Sequence, residues 1–512
     1  MKPARILLLS LLITTLGSVA QQTAGGLFDF HNDLGPVVHP GSFSFEPQRQ
    51  EYTMTGAGTN MWFGKDEGHF AWKKLKGDFI LRTRIRFVGK GMDPHRKVGL
   101  MIRSSMDTGS IQVSGTVHGD GLTALQYRTT VGANMQEFRS SISAPEIIQL
   151  ERKGNRYTLS VAKSGDLFTE TSAEINGPGD EVFAGIFICS HNKDITEEAV
   201  FSNTRIVYPS PATLVPYKQY LPSMLEIQDL ADDNSTIIYQ SPRSIQAPNW
   251  TTDAKALIFN GDGILYRFDL STKVQTQIPT GDVVGNNNDH VISFDGKMLA
   301  ISSSSKDYPS SRVYTVPING GKPMLITPTG PSYLHGWSPD GKWLAFVGQR
   351  NGDYDIYRVP SAGGKEERLT TAPGLDDGCE YSPDGRFIYF NSVRSGKMQI
   401  WRMNADGSEQ KQITNDTLNN WFPHVSPDGK RIVFITFGND VAPGDHPFYK
   451  HVYLRTIPVD GSQSPRVVNY LYGGQGTINT PSWAPDSRRF AFISNSGLLY
   501  GHVPTEPGKS TQ

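Results

Sequence analysis

Polar and apolar positions follow two different rhythms along this chain, and the change falls between residues 209 and 234. In the first half they alternate in short runs, such as Phe79-Ile-Leu-Arg-Thr-Arg-Ile-Arg-Phe87, Val98-Gly-Leu-Met-Ile-Arg103, Ile147-Ile-Gln-Leu-Glu-Arg152 and Tyr157-Thr-Leu-Ser-Val161. A period of two sends successive side chains to opposite faces, so each run predicts a strand with one buried face. Turn-forming residues separate the runs, and no segment has a sustained helical period. The pattern predicts a jelly-roll sandwich of two facing sheets over residues 25–208, with a linker at 209–234.

The second half repeats itself. Trp250-Thr-Thr-Asp253, Ile292-Ser-Phe-Asp295-Gly296, Trp337-Ser-Pro-Asp340-Gly341, Tyr381-Ser-Pro-Asp384-Gly385, Val425-Ser-Pro-Asp428-Gly429 and Trp483-Ala-Pro-Asp486 share one frame. Their aspartates recur every 42 to 45 residues as far as Asp428, and the last lies 58 residues further on. That period is the length of one four-stranded propeller blade. Within a repeat, Ser-Pro-Asp-Gly is a tight turn, because proline pre-sets φ and glycine accepts the positive φ that follows. A β-rich run such as Trp343-Leu-Ala-Phe346 comes next, then a polar loop and two further strands. Six repeats predict an all-β, six-bladed propeller over residues 235–504. The last repeat has strands near 490–493 and 498–501 and then lacks a fourth, which the segment at 236–239 is placed to supply, closing the ring and covering an exposed edge.

Charge and composition narrow the partners. Among 512 residues, 49 basic side chains balance 50 acidic ones, a formal net charge of -1, so nothing argues for a nucleic-acid footprint or a polybasic membrane arm. Lys2 and Arg5, the apolar run at 6–12 and the small-x-small Ser18-Val19-Ala20 read as a secretory signal peptide over residues 1–20. Secretion, with the periplasm as the expected location, follows from it, and the run is too short for a stable membrane span. Cys189 falls in an apolar stretch and is expected to be a buried thiol, although secretion would also permit a bridge to Cys379.

Candidate chemistry gathers just before the turn motifs, where innermost strands begin. Asn249, Asp289, His290, His335, Asp377, Glu380, Trp421, His424 and Asn479 are expected to line one mouth of the central channel. His290, His335 and His424 are candidate ligands for a divalent metal. The same histidines with Glu380 are candidate catalytic groups, since carboxylates and imidazoles exchange protons. Asn249, Asp289 and Asp377 would contact a ligand and Trp421 would stack on a sugar. The equally open reading is a polar mouth whose histidines only make hydrogen bonds. The long last spacing places an insertion near 439–451, carrying Asp445, His446, Tyr449, Lys450 and His451, with His446 a further catalytic candidate; enlarged loops on one face often mark a working face. In the first half, Trp62, His69, Trp72, Asp66 and Glu67 invite a glycan site, with core packing for the tryptophans and a calcium site for the acids as alternatives. Arg103 and Arg128 are expected to pair with carboxylates.

The repeats resemble those of TolB-like bacterial propellers, of prolyl oligopeptidase relatives and of oligogalacturonate lyases. The first half, through Gly58-Thr-Asn-Met-Trp62, Leu75-Lys-Gly-Asp-Phe79, Lys97-Val-Gly-Leu-Met-Ile-Arg103, Leu125-Gln-Tyr-Arg128 and Ser190-His191-Asn192, resembles the concanavalin A-like (laminin-G-like) modules appended to bacterial glycosidases. The resemblances imply a binding protein for polysaccharide, peptidoglycan or an envelope protein, with the propeller face as recognition site. A polysaccharide lyase or glycoside hydrolase and a non-enzymatic envelope scaffold are the alternatives. The lyase family's His-x-His does not occur in the propeller half, and no Gly-x-Ser-x-Gly elbow supports a serine peptidase.

Overall fold

The computed structural model describes residues 22–505, and the signal segment expected at 1–20 lies outside them. Every regular element among the described residues is a β-strand. No helix among them is long and apolar enough to cross a membrane.

The alternating runs of the first half build two antiparallel sheets. One has eight strands, with Glu181–Cys189 paired between Gly68–Lys76 and Lys97–Arg103. The other has seven, with Phe79–Val88 between Ile147–Lys153 and Glu197–Val207. Leu81, Leu150 and Leu159 of the second sheet share a core with Leu100, Ile102 and Val113 of the first, so the sheets pack face to face. On the far side of the first sheet Phe70, Trp72, Met101, Phe187 and Cys189 form another cluster. With both faces covered, every position of Lys97–Arg103 is buried, which explains its nearly unbroken apolar run.

The second half is a ring of six sheets. Five are four-stranded and consecutive in sequence. Their turns are held alike: Ser338 Oγ donates to Asp340 Oδ1 at 2.7 Å, Trp343 N donates back to Ser338 Oγ at 2.9 Å, and Gly341 has a φ of 72°. Ser293 and Asp295 keep the same bond where Phe294 replaces proline, so the serine and aspartate carry the turn. The sixth sheet joins both ends of the propeller. Arg489–Asn495 bridges to Trp483 on its inner side and pairs with Ser223–Asp229, which pairs in turn with Asn234–Ser241. The segment at 236–239 therefore does belong to the last blade, as its outermost strand. The third strand is not 498–501 but 223–229, from the stretch expected to be linker. Residues 498–501 instead lie outside any strand, and Tyr500 enters the core of the N-terminal unit, its hydroxyl donating to Ile206 O at 2.9 Å.

Cys189 and Cys379 are separate buried thiols. Burial pushes the Cys189 thiol up to about 11.

Candidate active site at the channel mouth

The innermost strands carry β-bulges, with register shifts between Asn286 and His290, Leu334 and Gly336, Asp377 and Glu380, and Trp421 and His424. A bulge re-aims the side chains on either side of it. The residues expected to share one mouth are accordingly divided between two.

At the turn side, a cavity of about 400 Å³ is lined by Asn249, Glu380, Trp250, Trp337 and Trp483. Its polar residues are occupied in joining blades. Asn249 Nδ2 donates to Pro481 O at 2.5 Å while its Oδ1 accepts from Ile292 N at 3.1 Å. Glu380 Oε2 lies 2.5 Å from His424 Nδ1 and its Oε1 accepts from Val425 N at 3.1 Å. The other ring nitrogen of His424 bonds to Ile478 O. Glu380 and His424 thus hold three successive blades together, which accounts for their positions without a catalytic role.

The loop side holds a second cavity, of about 430 Å³, lined by Asp289, His335, Asp377 and Asn479, with Asn287, Asn288, Tyr333, Phe422, Gln475 and His446. His335 Nε2 is 3.1 Å from Asp377 Oδ1, and its ring stacks on Phe422 at 5.9 Å. Burial alone would lower the His335 pKa, but the charges of Asp289 and Asp377 outweigh it and push it up to about 8. Burial raises the Asp289 carboxyl to about 6 in spite of the facing imidazolium. Burial acts the same way on Asp377, yet its hydrogen bond and charge contact with His335 hold it below the ordinary carboxylate value. Two carboxyl groups around one imidazole are thereby separated in acidity, an arrangement that can grip a polar ligand or pass a proton.

The insertion overhangs this cavity. His446 approaches Trp421 edge-on at 4.4 Å and Phe422 at 5.3 Å, and its Nδ1 has no hydrogen-bond partner. The other insertion residues serve elsewhere: Lys450 ties the loop to Asp440 at 2.9 Å, Tyr449 accepts from Leu221 N at 2.9 Å, and His451 reaches Glu151 of the N-terminal unit at 3.2 Å.

Several expectations are corrected. His290 is wholly buried with Nε2 3.2 Å from Ile258 O, and burial lowers its pKa to about 4, so it is a neutral packing residue. His290, His335 and His424 each have separate partners, and among the described residues they form no common metal-binding group. Trp421 is 0% exposed and offers no face to a sugar. In the N-terminal unit Asp66 is also 0% exposed: Arg128 grips both its oxygens, at 2.9 and 3.0 Å, and Arg103 lies 3.5 Å away. That carboxylate is a buried counter-ion, as expected of the arginines, and neither a glycan contact nor a calcium ligand. Glu67 caps Thr59. Trp72 is core, donating to Asn32 Oδ1 at 2.7 Å, and Trp62 is partly exposed.

Sequence reasoning missed the aromatic and amide walls of the loop-side cavity, and also a cluster beside the insertion where Tyr217 and Tyr220 meet Phe448 at 5.4 and 5.6 Å. Tyr217 is 60% and Tyr220 40% exposed. Aromatic density at 217–220, within a presumed linker, was the available signal.

The family model for the TolB beta propeller domain matches residues 329–443, within the third to fifth blades. An uncharacterized protein of Agrobacterium fabrum is 43% identical over 272 residues, which is 53% of this chain and 92% of the relative. A solved structure of a TolB candidate from Agrobacterium tumefaciens is 41% identical, with a TM-score of 0.52, over 55% of this chain and 100% of that one. The crystal structure of TolB from Acinetobacter baumannii is 16% identical, with a TM-score of 0.40, over 64% of this chain and 79% of that one.

Proposed function

Since the chain belongs to the TolB-like β-propeller family, we propose that it is a secreted, periplasmic binding protein that recognises an envelope-associated glycan at the loop-side mouth of its propeller. The observation that carries this reading is the cavity holding His335 between Asp289 and Asp377, walled by the amides of Asn287, Asn288 and Gln475 and by the ring of Phe422. Paired amide and carboxylate groups suit neighbouring sugar hydroxyls, and an aromatic wall suits a pyranose face. The exposed Tyr217 and Tyr220, packed on Phe448 of the same insertion that carries His446, offer further aromatic faces of this kind. Calorimetric titration with peptidoglycan fragments and neutral and acidic polysaccharides tests it. Binding by the native protein that Asp377→Ala weakens at least about tenfold supports the reading, given that one buried charge-assisted contact accounts for that much. Saturation by an envelope protein, with no glycan bound, would replace it with the scaffold reading.

A second reading is favoured by one specific observation, the separated acidities of Asp289 and Asp377. A carboxyl group near 6 beside an ionised one can act as acid and base on a glycosidic bond, as in a polysaccharide lyase or glycoside hydrolase. New reducing ends or unsaturated products, lost in Asp289→Asn, would establish it.

For the N-terminal unit we infer a concanavalin A-like jelly roll serving as an accessory glycan contact. Its two packed sheets and the partly exposed Trp62 support this, and Trp62→Ala should then lower retention on a polysaccharide column without lowering the Tm.

A further inference from the structure

At one end of the eight-stranded sheet, far in sequence from the propeller mouth, three side chains converge that no role described above uses. His95 lies in the loop before Lys97–Arg103, His118 ends the strand Gln112–His118, and Asp120 sits in the turn that follows. One ligand atom from each lies within 4.8 Å of the other two. The geometry points to a divalent transition-metal site of the zinc class formed by His95, His118 and Asp120.

Three features carry this beyond proximity. His118 is only 8% exposed, yet neither of its ring nitrogens has a hydrogen-bond partner. A buried imidazole with both nitrogens idle is uncommon, because buried polar atoms are nearly always satisfied. Lys97, directly opposite His118 in the ladder, does not satisfy it; its ammonium is on Asn60 Oδ1 at 2.6 Å.

Next, the backbone fixes the two loops against each other. Gly119 N donates to Arg96 O and Asp120 N to Pro94 O, both at 2.8 Å. Arg96 is anchored by Glu197 at 2.6 Å and lies over the Phe87 ring. The ligand-bearing segments are therefore held in place before any ion arrives, which lowers the ordering cost of binding.

Last, the loop that carries His95 is pinned at its own backbone and flanked by a third imidazole. Asp93 Oδ1 accepts from His95 N at 2.7 Å and lies 3.3 Å from His191 Nδ1, and the His191 ring is 5.4 Å from that of His95.

Two imidazoles and one carboxylate are borderline donors that suit zinc, copper, nickel or cobalt rather than calcium or magnesium. Metal bonds of about 2.0–2.2 Å in tetrahedral geometry set ligand atoms about 3.3 Å apart. Closing to that spacing asks for movement mainly of His95 and Asp120, whose side chains are 52% and 37% exposed; Asp120 Oδ2 already lies 3.8 Å from His95 Nδ1, while its Oδ1 accepts from Leu122 N at 3.0 Å. Three protein ligands leave a fourth position for water or an incoming group.

The test uses untagged, chelator-treated protein of the full mature chain. Equilibrium dialysis against micromolar zinc chloride is expected to leave one zinc per chain, and cobalt substitution to give the strong visible bands of a four-coordinate ion. His118→Ala could disturb packing, so His95→Ala and Asp120→Ala, both at exposed positions, are the deciding variants. Each should return zinc to background with an unchanged circular dichroism spectrum, while His446→Ala keeps full occupancy. No zinc on the native protein, or undiminished zinc on His95→Ala and Asp120→Ala, would overturn the site.

Discussion

Arg205 Nη2 lies 2.6 Å from Glu226 Oε2, and the two side chains are only 4% and 3% exposed. Arg205 belongs to Glu197–Val207, the strand that ends the N-terminal unit, and Glu226 to Ser223–Asp229, the third strand of the closing blade. Ser235 Oγ, in the outermost strand of that blade, donates to Glu226 at 3.2 Å, and Ser494 Oγ, in the second, bonds to its other oxygen. One carboxylate thus ties the N-terminal unit to both ends of the propeller. The neighbouring Met224 and Ile237 lie in the N-terminal core, while Leu225 lies in the propeller core. Strand alternation explains this, because successive residues face opposite sides and here both sides are covered.

Removing either partner leaves a buried charge without its counter-ion. Arg205→Ala and Glu226→Ala should each cost about 3–5 kcal/mol, whereas the paired replacement Arg205→Met with Glu226→Leu should cost much less. Urea titrations of the three variants measure this. With the cores shared, calorimetry of the native protein should show one cooperative transition; two well-separated ones would contradict the shared core.

The pH dependence of stability should carry the mark of His335. Its folded pKa, about 8, lies above the ordinary 6.5, so its stabilising contribution is complete below about 6.5 and is lost as pH rises through 8. Asp289 works in the same direction at lower pH: its folded pKa of about 6 lies above 3.8, so its ionisation costs stability that returns as pH falls from above 6 towards 4. Asp377, held low, contributes above the ordinary carboxylate range and loses that contribution on acidification. Urea midpoints should therefore fall between pH 6 and 8.5, and His335→Gln should flatten the upper part of that slope. A native midpoint constant over this interval would contradict the charge assignment.

The propeller was legible because its repeat is local. The turn serine and aspartate bond to each other and to the next strand, so the signal survives within five residues even where Phe294 stands for proline. Closure was half legible: 236–239 reads as a strand, but 223–229 is isolated from any turn motif, and only its pairing with Arg489–Asn495 identifies it. The site was legible as a set of residue types but not as a geometry. Asn249, Glu380 and His424 stand four residues before the turn aspartate, and Asp289, Asp377 and Asn479 six or seven before it. An unbroken strand gives no reason to separate them, and the bulge between the two groups, which sends them to different mouths, is marked in sequence by the left-handed Gly378 (φ 62°) in one blade, whereas Phe422 takes the same conformation (φ 53°) in the next with no glycine to announce it. Trp421 shows the other limit. A tryptophan at a channel mouth and one beneath it read the same in sequence, and here the His446 loop covers it.

Asp66 should prove structural. Arg103 and Arg128 are both fully buried against it, with Arg128 also donating to Phe63 O and Ala133 O. Asp66→Ala leaves two guanidinium groups in the interior without a carboxylate. A loss of about 3–5 kcal/mol is expected from the first of them alone. The variant should melt far below the native protein or fail to accumulate, and calcium should not raise the native Tm through this position. A folded Asp66→Ala with native Tm would show that the arginines find other acceptors.

The two histidine–carboxylate pairs of the propeller should separate experimentally. Glu380 and His424 spend all their hydrogen bonds on Val425 N, Ile478 O and each other, so Glu380→Gln removes a charge from a blade-to-blade joint. The expected result is lower stability, by about 2–4 kcal/mol for a buried charge-assisted contact, with glycan affinity unchanged once the protein is folded. Asp377 and His335 face the cavity instead, and His335 takes its imidazolium character from carboxylates that a ligand would also touch. Asp377→Asn should weaken binding at least about tenfold for the loss of one such contact, and cost less stability than Glu380→Gln. Titration calorimetry and urea unfolding on the same two variants give the contrast directly. If Glu380→Gln lost binding and Asp377→Asn kept it, the recognition site would have to move to the turn-side mouth, where Trp250, Trp337 and Trp483 surround Glu380.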